Sequence, residues 1–398
     1  MAVGLRVPRG FVFSAVTAGI KASGKPDLAL AEAPLGACAA ALFTRNRVVA
    51  APLLVDRDHL KRTQGRLRAV IVNSGNANCA TGASGIAASQ AVCAELGKLL
   101  EAAPEFIFPS STGIIGVPLP VHKVRAALPN LVSVRVEGQA GLETFARAIM
   151  TTDTLPKVAS TSFATGGEQV TVCGVCKGAG MIHPNMATML AYIFTDIEAT
   201  PAQLRAALKP AADVSFNCVS VDGDTSTNDT LLLLASGASG VKLNGANRKR
   251  FAEALTSVCR SLAEQIVADG EGVKHVIRLS VEGARTDADA HCIANTIATS
   301  MLVKTAWAGA DPNWGRILAA IGRSGIAVDP ARVDIFIGDH HVCRRGAKGD
   351  FSETAAHTHM LQKSYDIRVR VGRGRGHAHV LTSDLTAEYV HINADYST

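Results

Sequence analysis

A threonine hydroxyl is a poor nucleophile unless a base stands beside it. One base it can carry is its own α-amine, freed by cutting the peptide bond in front of it. The stretch Cys176-Lys177-Gly178-Ala179-Gly180-Met181-Ile182-His183-Pro184-Asn185-Met186-Ala187-Thr188-Met189-Leu190 has the parts for this. A glycine-rich, proline-containing loop delivers Thr188 to an apolar run, and the small Ala187 crowds an attack on its own carbonyl least. The Thr188 hydroxyl would attack the Ala187 carbonyl, and the ester so formed would be hydrolysed. The released α-amine, with an unperturbed pKa of about 7.7–8.0, is partly neutral near physiological pH and so available as a base. The competing reading is a plain threonine at the start of a strand, and the local pattern taken alone favours it.

Acyl transfer also needs donors aimed at the carbonyl oxygen on which charge develops, each supplying ~2.7–4 kcal/mol of transition-state stabilisation. Ser110-Ser111-Thr112-Gly113-Ile114-Ile115-Gly116 offers hydroxyls and backbone N–H groups directly after a strand expected over Glu105 to Phe108. An ordinary Ser/Gly turn is the alternative for this segment.

Other motifs carry less. Gly19-Ile20-Lys21-Ala22-Ser23-Gly24-Lys25-Pro26 nearly matches a phosphate-binding loop, but its last position is proline. Proline has neither a hydroxyl for magnesium nor an N–H for phosphate. Cys173-Gly174-Val175-Cys176 has no second pair to complete a four-thiolate zinc site, so two buried thiols are expected. His340-His341, His357-x-His359 and His377-x-His379 lack companion ligands at a familiar spacing, and no metal site is expected. Gly372-x-Gly374-x-Gly376 lacks dinucleotide spacing and reads as a turn.

These residues must be positioned by elements the sequence also announces. Ala69 to Val72 reads as a buried strand, followed by the polar loop Asn73 to Asn78 and an Ala/Leu-rich helix ending near Leu100. Leu142, Phe145, Ala146 and Ile149 have helical spacing, ended by Thr151-Thr152-Asp153-Thr154. Thr200, Pro201 and Gln203 form a capping box with proline at the first helical position. Phe251, Leu255, Val258, Leu262 and Ile266 mark a helix that Gly270 should end, leaving Glu271 just beyond it. Ala187 to Thr195 is β-branched, aromatic and apolar, as a buried strand with Thr188 at its start would be.

The 398 residues, 47% hydrophobic and 19% charged, can bury a large core, and two lobes are expected. Short turns between apolar segments indicate an α/β or α+β fold. Residues 1 to 20 lack the apolar run of a secretory signal, and no stretch is long and apolar enough to span a membrane. Nine scattered cysteines suit a reducing compartment, so a cytoplasmic protein is expected. The net charge of +6 comes in short clusters, and with aromatics at only 5% the stacking residues of a single-strand binder are missing. No nucleic-acid or membrane partner is expected.

Across nearly its whole length the sequence resembles the ornithine acetyltransferase family, the glutamate N-acetyltransferases of arginine biosynthesis. The resemblance is carried by Asn73 to Asn78 with Thr81-Gly82, Ser110 to Gly116, Thr151 to Thr154 with Pro156-Lys157, and Lys177 to Leu190. Asp269-Gly270-Glu271-Gly272 with Lys274, Asp311 to Arg316, and Asp384-Leu385-Thr386 to Tyr396 continue it. Val273-Lys274 departs from the more usual Ala-Thr-Lys, and Gly346 to Ser364 diverges.

The resemblance implies a layered α-β sandwich of the ornithine acetyltransferase, N-terminal-nucleophile-like type. It implies self-cleavage between Ala187 and Thr188 into an α chain of residues 1–187 and a β chain of residues 188–398, interwoven and paired as α2β2. Thr188 would be the nucleophile, Thr112 and Gly113 the oxyanion hole, and Thr154, Lys177, Thr188, Glu271, Asn393 and Thr398 the substrate contacts. Thr151 and Thr152 offer hydroxyls close to that of Thr154. Lys177 suits an α-carboxylate and Glu271 the side-chain amine of ornithine. The implied reaction is ping-pong transfer of acetyl from N-acetylornithine to glutamate without a cofactor. Enzymes with and without acetyl-coenzyme A as a second donor are both compatible with these residues. The nearest alternative is an amidohydrolase or aminopeptidase of the same N-terminal-nucleophile chemistry, with water as acceptor.

Overall fold

In a computed structural model of the chain, the structure describes residues 4–183 and 189–395. Ala187, Thr188 and Thr398 therefore lie outside the described residues. The chain opens with β1 (Val12–Val16), β2 (Leu28–Phe43), α1 (Ala51–Arg62), β3 (Arg66–Asn76), α2 (Gly82–Leu99) and β4 (Ile107–Ile114). It continues through α3 (Val121–Ser133), β5 (Val136–Glu137), α4 (Gly138–Ala148), β6 (Lys157–Thr165), β7 (Glu168–Lys177) and β8 (Leu190–Thr195). Next come α5 (Pro201–Asp213), β9 (Val219–Ser220), β10 (Thr230–Ala235) and α6 (Arg248–Ala268). The last third holds β11 (Val276–Ala284), α7 (Asp287–Ala298), α8 (Met301–Ala308), α9 (Trp314–Gly322), β12 (Asp334–Ile337), β13 (His340–Arg344) and β14 (Ala347–Lys348). It closes with α10 (Glu353–Met360), β15 (Ser364–Arg370), β16 (Gly376–Ser383) and α11 (Ala387–Asp395).

The strands form two sheets. The first runs β4-β3-β2-β10-β8-β7-β6, with β1 on β2 and β5 on β1. The second runs β14-β13-β12-β15-β11-β16-β9. The protein is thus a mixed α/β structure whose helices layer against two sheets, in line with the expected fold class. The 16-residue β2 serves both halves of the first sheet. A register shift between Glu32 and Ala37 lets its start pair with β1 while its end, from Cys38, pairs with β10. A bulge bends a strand in this way by leaving residues unpaired.

The first sheet draws on both sides of the Ala187–Thr188 bond, because β8 lies between β7 and β10. Strands β8 and β10 are buried at every position and read as continuous apolar runs, as interior strands covered on both faces should. Leu204, Leu208, Phe251, Leu255, Val258 and Leu262 from α5 and α6 pack with Ala191, Ile193, Leu231 and Leu233 on one face. Leu142 and Phe145 of α4 pack with Tyr192 and Phe194 on the other. The second sheet packs on α7, α8 and α9 through Ile293, Ile297, Trp307 and Ile317.

Several local expectations are met. Thr200 and Gln203 make the reciprocal capping box at the start of α5, and α6 ends with Asp269 as its C-cap, before Gly270. Two boundaries move. The polar run Asn73 to Asn76 belongs to β3 rather than to a loop, and Ser110 to Ile114 belongs to β4 rather than to a turn after it. Both are carried into the ladder because β3 and β4 pair in parallel from Ala69↔Ile107 to Gly75↔Gly113, which satisfies their backbone groups despite the polar side chains.

The near-miss phosphate loop has an internal occupant. The amides of Ala18, Ile20 and Lys21 donate to the Asp27 carboxylate at 2.6, 2.5 and 2.9 Å. Its anion-binding N–H groups are therefore spent on the chain itself. Cys173 and Cys176 are buried free thiols of β7 that enter cores on opposite faces of the sheet. No group of three or more His, Cys, Asp or Glu residues that could hold a metal ion occurs among the described residues. No helix among them is long and apolar enough to cross a membrane.

Candidate active site

The C-terminal end of β4, the C-terminal end of β7, the turn after α6 and the helix α11 meet at one cleft of about 240 Å3. Thr112, Gly113, Thr151, Thr152, Lys177, Glu271 and Asn393 are among its lining residues. Thr112 and Gly113 lie in register with Ser74 and Gly75 of β3. Gly113 has φ of 132°, and a Cβ there would stand 2.4 Å from the carbonyl carbon of Gly75. The two backbones can run this close only if residue 113 has no side chain. Gly113→Ala is expected to destabilise the fold by about 1–3 kcal/mol and, with the oxyanion role that the resemblance implies for Gly113, to slow turnover about a hundredfold. Wild-type values in both turnover and chemical denaturation would show that the approach tolerates a methyl group.

Lys177 closes β7 and is buried, with Nζ 3.2 Å from Thr112 Oγ1. Burial lowers its pKa by more than the neighbouring carboxylates of Asp153, Glu271 and Asp229 restore. The next residue is fixed too, because the Gly178 N–H donates to Asp153 Oδ1 at 2.7 Å. That same oxygen receives Lys157 Nζ at 2.6 Å, and Lys157 reaches Asp269 Oδ2 at 2.5 Å. Burial alone would raise the Asp153 carboxyl, but the cations of Lys177 and Lys157 and its hydrogen bonds hold it down at about 2. The Thr151 N–H donates to Asp153 Oδ2 at 3.0 Å. Asp153, Lys157 and Asp269 thus tie three site-bearing segments together: the turn after α4, the end of β7 and the end of α6.

Glu271 follows two residues after Asp269. Its N–H donates to the Ala179 carbonyl at 3.0 Å, and its Oε2 accepts from Asn393 Nδ2 at 2.8 Å. The glycines of the Lys177–Met181 loop make this approach possible, since a Cβ on Gly180 would lie 2.4 Å from Glu271 Oε2. The tail therefore folds inward, with Asn393 of α11 among the cleft residues. Of the three clustered hydroxyls, Thr151 and Thr152 line the cleft, whereas the Thr154 hydroxyl donates to Asp269. Sequence spacing offered all three, and the Asp269 carboxylate decides which one is engaged.

Met189, the residue bonded to Thr188, is held on both of its backbone groups. Its N–H donates to Asp229 Oδ1 at 3.0 Å, and its carbonyl accepts from the Thr230 N–H at 3.0 Å. Leu190 stands opposite Lys177 in the β7–β8 ladder. Burial pushes the Asp229 carboxyl well above the usual range, and its Oδ2 has no hydrogen-bond partner among the described residues. Asn228, one residue earlier, spans to β4 by donating to the carbonyls of Ala77 and Ser111 at 2.7 and 2.8 Å. On the other side of the Ala187–Thr188 bond, Met181 adopts a left-handed φ of 58°. Asp222 accepts from the N–H groups of Met181 and Ile182 and, at 3.3 Å, from the Tyr389 hydroxyl of α11.

Asp153, Lys157, Asp222, Asn228, Asp229 and Asp269 were not singled out as site residues from the sequence. A signal did exist for some of them: Asp222 to Asp229 is a run of Asp, Gly, Ser, Thr and Asn directly before the apolar strand β10. Such polar loops at strand ends commonly carry function.

The model of the ArgJ family matches residues 12–398. The arginine biosynthesis bifunctional protein ArgJ of Geobacter sulfurreducens is 44% identical over 394 residues, covering 98% of this chain and 99% of that one. The protein of the same name from Methylococcus capsulatus is 44% identical over 394 residues, covering 98% and 95%. Among solved structures, the arginine biosynthesis bifunctional protein from Bacillus halodurans is 39% identical, covers 52% of this chain and 98% of that chain, and has a TM-score of 0.49. A family match over almost every residue, together with relatives at this identity along their full length, makes the chain a member of the ArgJ family of arginine-biosynthesis enzymes.

Proposed function

We propose that the chain cuts itself between Ala187 and Thr188 and then uses Thr188 to carry acetyl from N2-acetyl-L-ornithine to L-glutamate. The observation that carries this reading is one cleft holding Thr112, Gly113, Lys177, Glu271 and Asn393, beside the strand that begins directly after Met189. In the first half-reaction the Thr188 hydroxyl adds to the acetyl carbonyl, its own α-amine taking the proton. The oxyanion is met by Thr112 and Gly113, and the amide breaks to leave an acetyl ester and ornithine, whose nitrogen receives that proton. In the second, the amine of glutamate attacks the ester, releasing N-acetylglutamate and restoring the Thr188 hydroxyl.

Lys177 and Glu271 supply opposite charges at the cleft, which suits an α-amino acid with a cationic side chain: carboxylate towards Lys177, amine towards Glu271. Thr151, Thr152 or Thr154, with Asn393 and Thr398, complete the substrate contacts. We further propose that acetyl-coenzyme A is a second donor, in keeping with the word bifunctional in the relatives' names, and that the two fragments assemble as α2β2 in the cytoplasm.

Intact-mass analysis of purified protein incubated briefly with N-acetylornithine tests the reading. Two fragments are expected, with one acetyl group on the fragment that begins at Thr188. Glutamate should then remove the acetyl group and yield one N-acetylglutamate per ornithine released; consumption of N-acetylornithine to free acetate instead would favour a hydrolase. Glu271→Gln is expected to raise KM for N-acetylornithine roughly tenfold to a hundredfold, the loss of one charge-assisted contact of about 1.5–3 kcal/mol. An unchanged KM would remove Glu271 from recognition of the side-chain amine.

A further inference from the structure

We propose that Lys177 acts on the oxyanion hole itself, by orienting the Thr112 hydroxyl so that its proton points into the cleft. The inference rests on the reading of Thr112 given above, and it assigns Lys177 a positioning role beyond contact with substrate. A threonine hydroxyl has one proton and two acceptor lone pairs, and left alone it rotates to suit its surroundings. Such a group stabilises an oxyanion poorly, because it must be reoriented while the charge develops; a fixed donor needs no such reorganisation. An ammonium group has three donors and no acceptor. With Lys177 Nζ 3.2 Å from Thr112 Oγ1, that oxygen accepts and the Thr112 proton must point elsewhere.

No acceptor for that proton is found among the described residues, and Thr112 lines the cleft, so the cleft is where the proton goes. Both groups are buried, at 4% and 6% exposure, which keeps bulk water from competing for either. Lys177 is itself held in place: it ends the β7 ladder opposite Leu190, and the following N–H is bonded to Asp153. Burial lowers the Lys177 pKa, and the carboxyl groups of Asp153, Glu271 and Asp229 partly offset that shift towards the charged, donor-only form.

The test is a double-mutant cycle read as the single-turnover rate of Thr188 acetylation at saturating N-acetylornithine, so that weaker substrate binding does not enter. Thr112→Val should slow acetylation about 10²–10³-fold. Lys177→Gln, whose amide oxygen can accept the Thr112 proton, should lose most of the same factor. The double variant should be no slower than Thr112→Val by more than about twofold, since both changes disable one donor. Lys177→Arg, which keeps a donor-only cation, should acetylate at least tenfold faster than Lys177→Gln. Losses that multiply in the double variant, or equal rates for Arg and Gln, would overturn the proposal while leaving acetyl transfer through Thr188 intact. Absence of any acetyl adduct on the wild-type protein would instead bring down the parent reading and this one together. If Lys177→Gln does not fold, Lys177→Leu, which can neither donate nor accept, takes its place in the cycle. Variants that cut themselves slowly give the same comparison through their rate of self-cleavage, whose oxyanion would use the same donors.

Discussion

Thr188→Ala is expected to yield a single uncut chain with no measurable acetyl transfer, a loss on the order of a millionfold if a nucleophile acting as a unit with its base is removed. The reason is that one residue supplies two groups. The hydroxyl that would open the Ala187–Thr188 bond is the same one that would later hold acetyl, and the α-amine exists as a base only once that bond is cut. Thr188→Ser keeps both groups and should process and turn over, at a reduced rate. Intact mass and a coupled assay for N-acetylglutamate check both variants. Two fragments from Thr188→Ala would move the scissile bond, and full activity in an uncut wild-type chain would end the mechanism.

Lys157→Met is expected to destabilise the protein by about 3–5 kcal/mol, because it leaves two carboxylates at a buried position without their cation. Lys157 is 1% exposed and bonds both Asp153 and Asp269. Its loss should also lower turnover, since Asp153 holds the residue after Lys177, and Asp269 caps the helix that leads to Glu271. Denaturant unfolding gives the first quantity and steady-state kinetics the second. The same cluster makes stability depend on pH in a definite direction. Asp153 is held at about 2 in the folded protein, below the ~3.9 of an unfolded aspartate. Its contribution is therefore complete above about pH 4 and is lost as pH falls towards 2. Lys157 is raised above its ordinary value, with burial opposing and Asp153 and Asp269 prevailing. Its contribution is present below the unfolded lysine pKa of ~10.4 and lost as pH rises through the folded value. A flat stability between pH 4 and pH 2 would show that the pair contributes little.

Elements with strong local causes are legible in the sequence. The capping box at Thr200 and the apolar stripe from Phe251 to Ile266 depend on neighbours three or four residues away, and both α5 and α6 formed as read. Of the strand expected over Ala187 to Thr195, Leu190–Thr195 forms the interior strand β8, and Ala187 and Thr188 lie outside the described residues. Where the two readings part, the cause is pairing with distant chain. Ser110 to Ile114 resembles a turn in composition, yet it lies in a ladder with β3, and Asn228 reaches across from more than a hundred residues away to hold it.

The sequence by itself determined the chemistry within reach: a threonine behind a small residue, a lysine and a glutamate of opposite charge, and a hydroxyl-rich segment able to donate. Those are properties of residue type and near spacing, which no fold alters. Only the tertiary structure decided which hydroxyl is spent on Asp269, that the tail turns inward to put Asn393 on Glu271, and that Lys157 joins Asp153 to Asp269. Hydrogen bonds and buried ion pairs form over about 3 Å in space whatever the separation along the chain, so partners more than a hundred residues apart leave no local signature to read.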